Sequence, residues 1–203
     1  MFMEQTVFIV DDDEFVRNAA RRAFRSAGFE VDTFDGAESF LGAYEARDEA
    51  CLVLDLRMPR MGGLELLERM KQCGIDLPVI IYTGNADVPV TVRAMQAGAF
   101  AVVEKPFSDE LLIEHVRAAI AANRTQRARR TQIINAQKRL NQLIERERQI
   151  AKCLADGLTT QSVADRFTIS PRTVEAHRAN LFRKLEIGSS AVLAQMVLLS
   201  ELG

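Results

Sequence analysis

Residues 51–59 read Cys51-Leu52-Val53-Leu54-Asp55-Leu56-Arg57-Met58-Pro59. A short apolar run that stops on a carboxylate, shortly before a proline, has the form of a strand buried on both faces of a parallel sheet. Asp55 then lies at the carboxyl end of that strand, where open α/β sheets place their chemistry. Three other runs repeat the pattern. Val7-Phe8-Ile9-Val10 ends in Asp11-Asp12-Asp13, Val79-Ile80-Ile81-Tyr82 ends in Thr83, and Phe100-Ala101-Val102-Val103 leads to Lys105-Pro106 by way of Glu104. Four strand ends thus carry carboxylates, a hydroxyl and an ammonium toward one rim. That set suits a magnesium-assisted phosphoryl transfer to a carboxylate.

Strands are expected at 7–11, 30–34, 51–55, 79–83 and 101–104. Amphipathic stretches separate them at 14–27, 37–44, 64–73, 88–97 and from 109 onward, and Gly28, Gly74 and Gly98 stand where three of these should stop. Strict alternation of strand and helix predicts a parallel sheet with helices on both faces. Right-handed crossovers favour the strand order 2-1-3-4-5. In that order the first and third strands flank the point where the winding reverses, so Asp11, Asp12 and Asp55 are expected to be neighbours.

The chain has 203 residues, 48% of them hydrophobic, which suffices for one large core or two small ones. Its net charge of −2 hides an asymmetry: residues 1–123 carry 21 acidic and 12 basic groups, whereas 124–203 carry 7 and 14. An acidic half joined to a basic half points to two tasks, the second on nucleic acid. Cys51, Cys73 and Cys153 form no CxxC pair and are expected to be buried, reduced thiols of a cytoplasmic protein. No signal peptide opens the sequence and no apolar run nears the roughly 18 residues of a membrane span, so no membrane association is expected.

From Ser108 a helical pattern runs on to about Leu143. Its polar, basic middle gives way to an apolar stripe of Ile133, Ile134, Leu140, Leu143 and Ile144, expected as a helical linker that is either solvated or paired with its twin in a dimer. Beyond it no strand-like run occurs. Short helices are expected at 146–155, 160–167, 171–185 and 190–201. Ser170-Pro171 supplies an N-cap followed by proline at the first helical position. A helix, a tight turn at 168–170 and a capped helix form a helix-turn-helix layout.

These residues resemble the two-component response regulators of the FixJ/NarL type, along nearly the whole chain. Residues 4–122 look like a receiver domain, through Val10-Asp11-Asp12-Asp13, the run Leu54 to Gly63, Thr83-Gly84 and Glu104-Lys105-Pro106-Phe107. Residues 123–142 would be the linker. Residues 143–203 resemble a LuxR-type DNA-binding domain, through Asp156 to Ala164, Ile169 to Asn180 and Lys184-Leu185. The resemblance implies a flavodoxin-like, doubly wound five-stranded parallel sheet followed by a small all-α, four-helix, helix-turn-helix domain. It also implies that Asp55 accepts the phosphoryl group from a sensor histidine kinase. Asp11, Asp12 and Asp55, with the backbone carbonyl of Arg57, would hold Mg2+, Asp11 largely through water. Thr83 and Lys105 would contact the phosphoryl oxygens.

The chemistry agrees with that assignment. Crowded carboxylates repel, so one pKa should rise in the absence of a cation. A phosphate on Asp55 brings about −1.5 to −2 charges. Thr83 can bond it and pull the loop 84–87 and the next helix. One charge-assisted hydrogen bond is worth roughly 1.5–3 kcal/mol, whereas turning a mostly-off population mostly on takes about 5.5 kcal/mol. Lys105, loop repacking and homodimerisation must supply the rest. The helix at 88–97 and its neighbour from 109 form the expected pairing face, with Val92 in contact. Val102 stands where many receivers carry an aromatic that turns inward on activation, so such a readout is not expected here.

On a helical wheel Val174, Leu181, Phe182 and Leu185 share the core stripe. The expected DNA-contacting residues are Thr160, Gln161, Arg172, Thr173, Glu175, Ala176, Ala179 and Arg183, the small alanines letting the helix sit deep in the major groove. Arg178 is expected to pair with buried Glu147. Because Ile144 stands where the LuxR-type pattern has a capping threonine, the linker helix is expected to run straight into Arg146. Expected partners are the kinase, a second copy, promoter DNA with paired half-sites about one helical turn apart, and RNA polymerase. Two alternatives remain: a phosphate-independent DNA-binding regulator whose degenerate receiver only dimerises, and a free phosphatase. Phospho-acid hydrolases place a second acid two residues after the nucleophile. Arg57 occupies that position, which argues for self-catalysed phosphotransfer and slow autodephosphorylation rather than a turnover enzyme.

Overall fold

The computed structural model describes residues 5–84, 87–106 and 108–202. Part of the loop 84–87, Phe107 of the Glu104-to-Phe107 motif and residue 4 therefore lie outside the described residues. Two compact units divide at residues 125 and 126.

The first unit alternates strand and helix: β1 (Thr6–Val10), α1 (Glu14–Ser26), β2 (Glu30–Phe34), α2 (Ala37–Ala43), β3 (Ala50–Leu54), α3 (Gly63–Gln72), β4 (Val79–Thr83), α4 (Val88–Ala97), β5 (Ala101–Glu104) and α5 (Asp109–Leu140). The sheet is parallel throughout, in the order β2-β1-β3-β4-β5. β1, β3 and β4 are buried at every position. That is why they read as continuous apolar runs rather than as alternating patterns. One face packs Val7, Ile9, Val53, Ile80 and Tyr82 against Phe24 of α1 and Val116 and Ile120 of α5. The other packs Phe8, Leu52, Leu54 and Ile81 against Phe40, Leu66, Met70 and Ala94.

Helix ends follow from local chemistry. Asp13 caps α1, its Oδ1 accepting the Phe15 N–H at 2.8 Å and the Val16 N–H at 3.4 Å. Gly28, Gly74 and Gly98 all take positive φ where helices stop. Asp11 and Asp55 sit one residue beyond their strands rather than inside them.

The second unit adds α6 (Glu145–Ala155), α7 (Thr160–Phe167), α8 (Pro171–Lys184) and α9 (Ser190–Ser200) to the last turns of α5. Ala136, Leu140 and Leu143 join Ile150, Leu154, Val163, Val174, Leu181, Leu185 and Leu193 in its core. The expected continuous run of the linker helix into Arg146 is not what forms. The helix ends at Leu140, and Ile144 is extended (φ −68°, ψ 160°). Leu143 is buried within that break, and Glu147 caps the helix that follows. Glu147 Oε2 accepts the Ile144 N–H at 3.1 Å, which supplies the half of a capping box that does not need a threonine.

Among the described residues no helix is long and apolar enough to cross a membrane. All three cysteines are free thiols. Cys51 and Cys153 are buried, but Cys73 is exposed, contrary to expectation, because it falls at the solvent-facing C-cap of α3.

Candidate functional site

Sheet register brings the acidic residues together. Val10 pairs with Leu54, and the Asp55 N–H bonds the Val10 carbonyl at 2.9 Å. Asp11 and Asp55 therefore leave neighbouring strands side by side. On the far side Thr83 pairs with Glu104, and the Lys105 N–H bonds the Thr83 carbonyl at 2.8 Å. Lys105 reaches back from there, its Nζ 3.0 Å from Asp11 Oδ2 and 3.0 Å from Asp55 Oδ1. Asp11, Asp55 and Thr83 are buried, whereas Asp12 and Arg57 are exposed on the rim.

Arg57 meets Asp55 through its N–H, which donates to Asp55 Oδ2 at 2.8 Å. Each oxygen of Asp55 thus has a donor. Burial is the main reason the Asp55 carboxyl lies above its usual range. The hydrogen bond and charge of Lys105 and the Arg57 N–H oppose that rise, and the Asp11 charge adds a little to it. Carboxylate repulsion, the expected cause, is therefore real but the smallest contribution. Burial also works against the Lys105 charge, yet the hydrogen bonds and charges of Asp11 and Asp55 outweigh it and raise the ammonium above its usual value. Lys105 is thus shared between two carboxylates rather than paired with one.

Among the described residues no group of three acidic, histidine or cysteine side chains is gathered as a ready metal cage. Magnesium does not need one. It takes one or two carboxylates, keeps several waters and completes its shell with phosphate oxygens. Asp11 and Asp55, converging on one ammonium beside a solvent-facing rim with Asp12 on it, offer hard oxygen donors of that kind.

Three contributions went unread in the sequence. Arg17 donates to the Asp11 carbonyl at 2.6 Å. The Tyr82 hydroxyl donates to Asp11 Oδ2 at 2.6 Å. Gly63 opens α3 so close to the loop after Asp55 that a Cβ there would lie 2.4 Å from the Asp55 carbonyl oxygen. The strand-end position of Tyr82 and the Gly62-Gly63 pair were the available signals.

On α4, Val92 is exposed, as are Val88 and Met95 on the same face, so this valine is not part of the core. Val102 is half-buried against the Ala94 and Ala99 side of the sheet.

In the second unit Ser170 caps α8, and Thr168, left-handed at φ 54°, turns the chain after α7. Val174, Leu181 and Leu185 are fully buried and Phe182 packs beside them. Arg172, Glu175, Ala176, Ala179 and Arg183 lie exposed, with Thr173 half-buried. Thr160 Oγ1 donates to Glu175 Oε1 at 2.7 Å, so two expected DNA contacts hold each other across the turn. Gln161 bonds Asp165 and Arg183 bonds Asn180, both along the helix surface.

The expected Arg178–Glu147 pair does not form. Lys184 Nζ takes Glu147 instead, at 2.7 and 2.8 Å from its two oxygens. Arg178 bonds Ser190 at 3.2 Å, lies 3.8 Å from Glu175 and stacks over Phe182. Its guanidinium is already engaged there, which leaves Glu147 to the Lys184 ammonium.

Comparison with known proteins matches each unit to a family. Residues 7–117 match the response regulator receiver domain, and residues 141–197 match the bacterial regulatory proteins of the luxR family. The transcriptional regulatory protein FixJ of Rhizobium meliloti (strain 1021) is 40% identical over 200 residues, covering 98% of each chain. The structure of the response regulator StyR aligns with a TM-score of 0.81 at 38% identity, over 96% of this chain and 98% of that one. Full-length FixJ from B. japonicum aligns with a TM-score of 0.62 at 35% identity, over 99% of both chains.

Proposed function

Because the chain belongs to the two-component response regulators, with a receiver domain followed by a LuxR-family DNA-binding domain, we propose that it is switched by phosphorylation of Asp55. The family is one of transcription factors, and this member is a response regulator and transcription regulator. The residue assignments are our own reading. The observation that carries them is Lys105 Nζ, placed 3.0 Å from carboxylates of both Asp11 and Asp55 at adjacent strand ends.

In this reading an Asp55 carboxylate oxygen attacks the phosphorus of a donor, the phosphohistidine of a sensor kinase. The donor bond breaks and an acyl phosphate forms on Asp55. Mg2+, held by Asp12, Asp55 and the Arg57 carbonyl, with Asp11 through water, would supply positive charge to the transferring oxygens. Lys105 moves from bridging two carboxylates to meeting a phosphoryl oxygen, and Thr83 donates to another. Slow autodephosphorylation would reset the site, and the chain would have no other enzymatic task.

The output side follows the division 4–122, 123–142 and 143–203, with a receiver, a helical linker and a DNA reader in a cytoplasmic protein. Phosphorylation promotes homodimerisation through the face carrying Val92, which raises promoter affinity by mass action. In the DNA-binding domain α8 enters the major groove, where Ala176 and Ala179 permit close approach and Arg172 and Arg183 reach guanine or phosphate. Thr160, Gln161 and Thr173 contact the backbone, and RNA polymerase is the downstream partner.

The test is incubation with a small phosphodonor and Mg2+, read by intact mass and by footprinting on promoter DNA. One phosphoryl unit gained by the native chain, none by Asp55→Asn, and tighter footprints only after the gain are expected. A phosphate-independent regulator would show no mass gain and unchanged footprints. A free phosphatase would show multiple turnovers on phosphomonoesters.

A further inference from the structure

Tyr82 is fully buried, yet it ends in a hydroxyl. Alternation along β4 turns Ile80 and Tyr82 into the layer covered by α1 and α5, while Val79 and Ile81 face the other layer. A buried phenol needs an acceptor. Tyr82 finds a charged one, Asp11 Oδ2, at 2.6 Å. That length falls in the range of about 2.5–2.7 Å for a hydroxyl donating to an anionic oxygen. The other oxygen, Asp11 Oδ1, accepts the Asp13 N–H at 2.7 Å. With a donor on each oxygen, the plane of the Asp11 carboxylate is fixed.

The same side chain touches the cation. Lys105 Nζ lies 4.1 Å from the centre of the Tyr82 ring, a cation–π distance. The ring is thus a floor that keeps the ammonium in the gap between Asp11 and Asp55.

We propose that Tyr82 is a positioning residue of the phosphotransfer site, its hydroxyl orienting Asp11 toward a hydrated divalent cation and its ring seating Lys105. The inference deepens the phosphotransfer reading and rests on it. Partners that orient a metal-binding carboxylate typically change affinity or activity by about 10–100-fold when lost.

The two contacts separate by substitution in the full chain. Tyr82→Phe removes only the hydroxyl; Tyr82→Leu also removes the ring. The readouts are Mg2+ affinity by calorimetry without phosphodonor, the rate of mass gain with phosphodonor over a range of Mg2+, and the melting temperature. For Tyr82→Phe we expect a near-native melting temperature, about tenfold weaker Mg2+ binding, and a phosphorylation rate that recovers as Mg2+ saturates. Tyr82→Leu should stay slow at saturating Mg2+, because Lys105 is no longer seated. In an Asp11→Asn background Tyr82→Phe should weaken Mg2+ no further, since coupled residues are not additive.

Unchanged or tighter Mg2+ binding by Tyr82→Phe, or an equal loss in both backgrounds, overturns the inference while native phosphorylation leaves the underlying reading standing. A native chain that gains no mass and binds no Mg2+ overturns both.

Discussion

Gly63 shows how little room the loop after Asp55 has. Its N–H bonds the Leu56 carbonyl at 3.1 Å. An added methyl would strike backbone, at 2.4 Å from the Asp55 carbonyl oxygen and 3.0 Å from the Leu56 Cα, rather than a side chain that could swing aside. Gly63→Ala is therefore expected to cost about 1–3 kcal/mol as an overpacked site and to slow phosphoryl uptake by displacing Asp55. A urea titration and the initial rate of mass gain check both, and an unchanged pair of values would show that the loop can yield. Asp55 could be singled out from its position alone. The donors on its oxygens could not, because Lys105 and the Arg57 N–H reach it only once strands and loop are in place.

At the scale of elements, α6 and α8 are tied by Glu147 and Lys184. The Lys184 hydrogen bond holds the Glu147 carboxyl below its ordinary range, with the Ile144 N–H helping against the cost of burial. A depressed acid stabilises the fold at pH above its unfolded value and loses that contribution as pH falls through its folded value. Amide protection in α6, taken relative to the intrinsic exchange rate at each pH, should thus fall on the acid side, and Glu147→Gln should flatten that dependence. The substitution should cost about 1–2 kcal/mol, less than a fully buried pair, because the Lys184 side chain is 40% exposed. On α8 a larger residue at Ala179 faces solvent and should leave melting unchanged. Ala179→Leu is nevertheless expected to weaken promoter binding tenfold or more, about 1.4 kcal/mol, in a gel-shift titration. Equal affinity would mean that this face does not enter the groove. The core stripe of α8 was legible from periodicity, since 3.6 residues per turn decides which side meets the core. The partner of Glu147 was not, because periodicity along α8 does not say that Arg178 is taken up by Ser190, Glu175 and Phe182 while Lys184 reaches α6.

For the whole molecule, the proposed switch works through a change in association. Val88, Val92 and Met95 leave 77%, 47% and 47% of their surface open on one helix face, an apolar stripe suited to a second copy. Val92→Asp should leave mass gain intact while holding the phosphorylated chain monomeric in sedimentation, and its footprint should stay at the unphosphorylated level. Dimers that persist would move the pairing face elsewhere. The strand order, the helix positions and the convergence of Asp11, Asp55, Thr83 and Lys105 on one rim were all legible in the sequence by itself. They follow from local rules: apolar runs make buried strands, capping residues stop helices, and right-handed crossovers leave few ways to wind them. Tertiary structure alone decided the exposure of Val92 and Cys73, the break before α6, and the Tyr82 hydroxyl on Asp11. Those depend on which side chains arrive in the same space from distant parts of the chain, and periodicity along the chain does not encode that meeting.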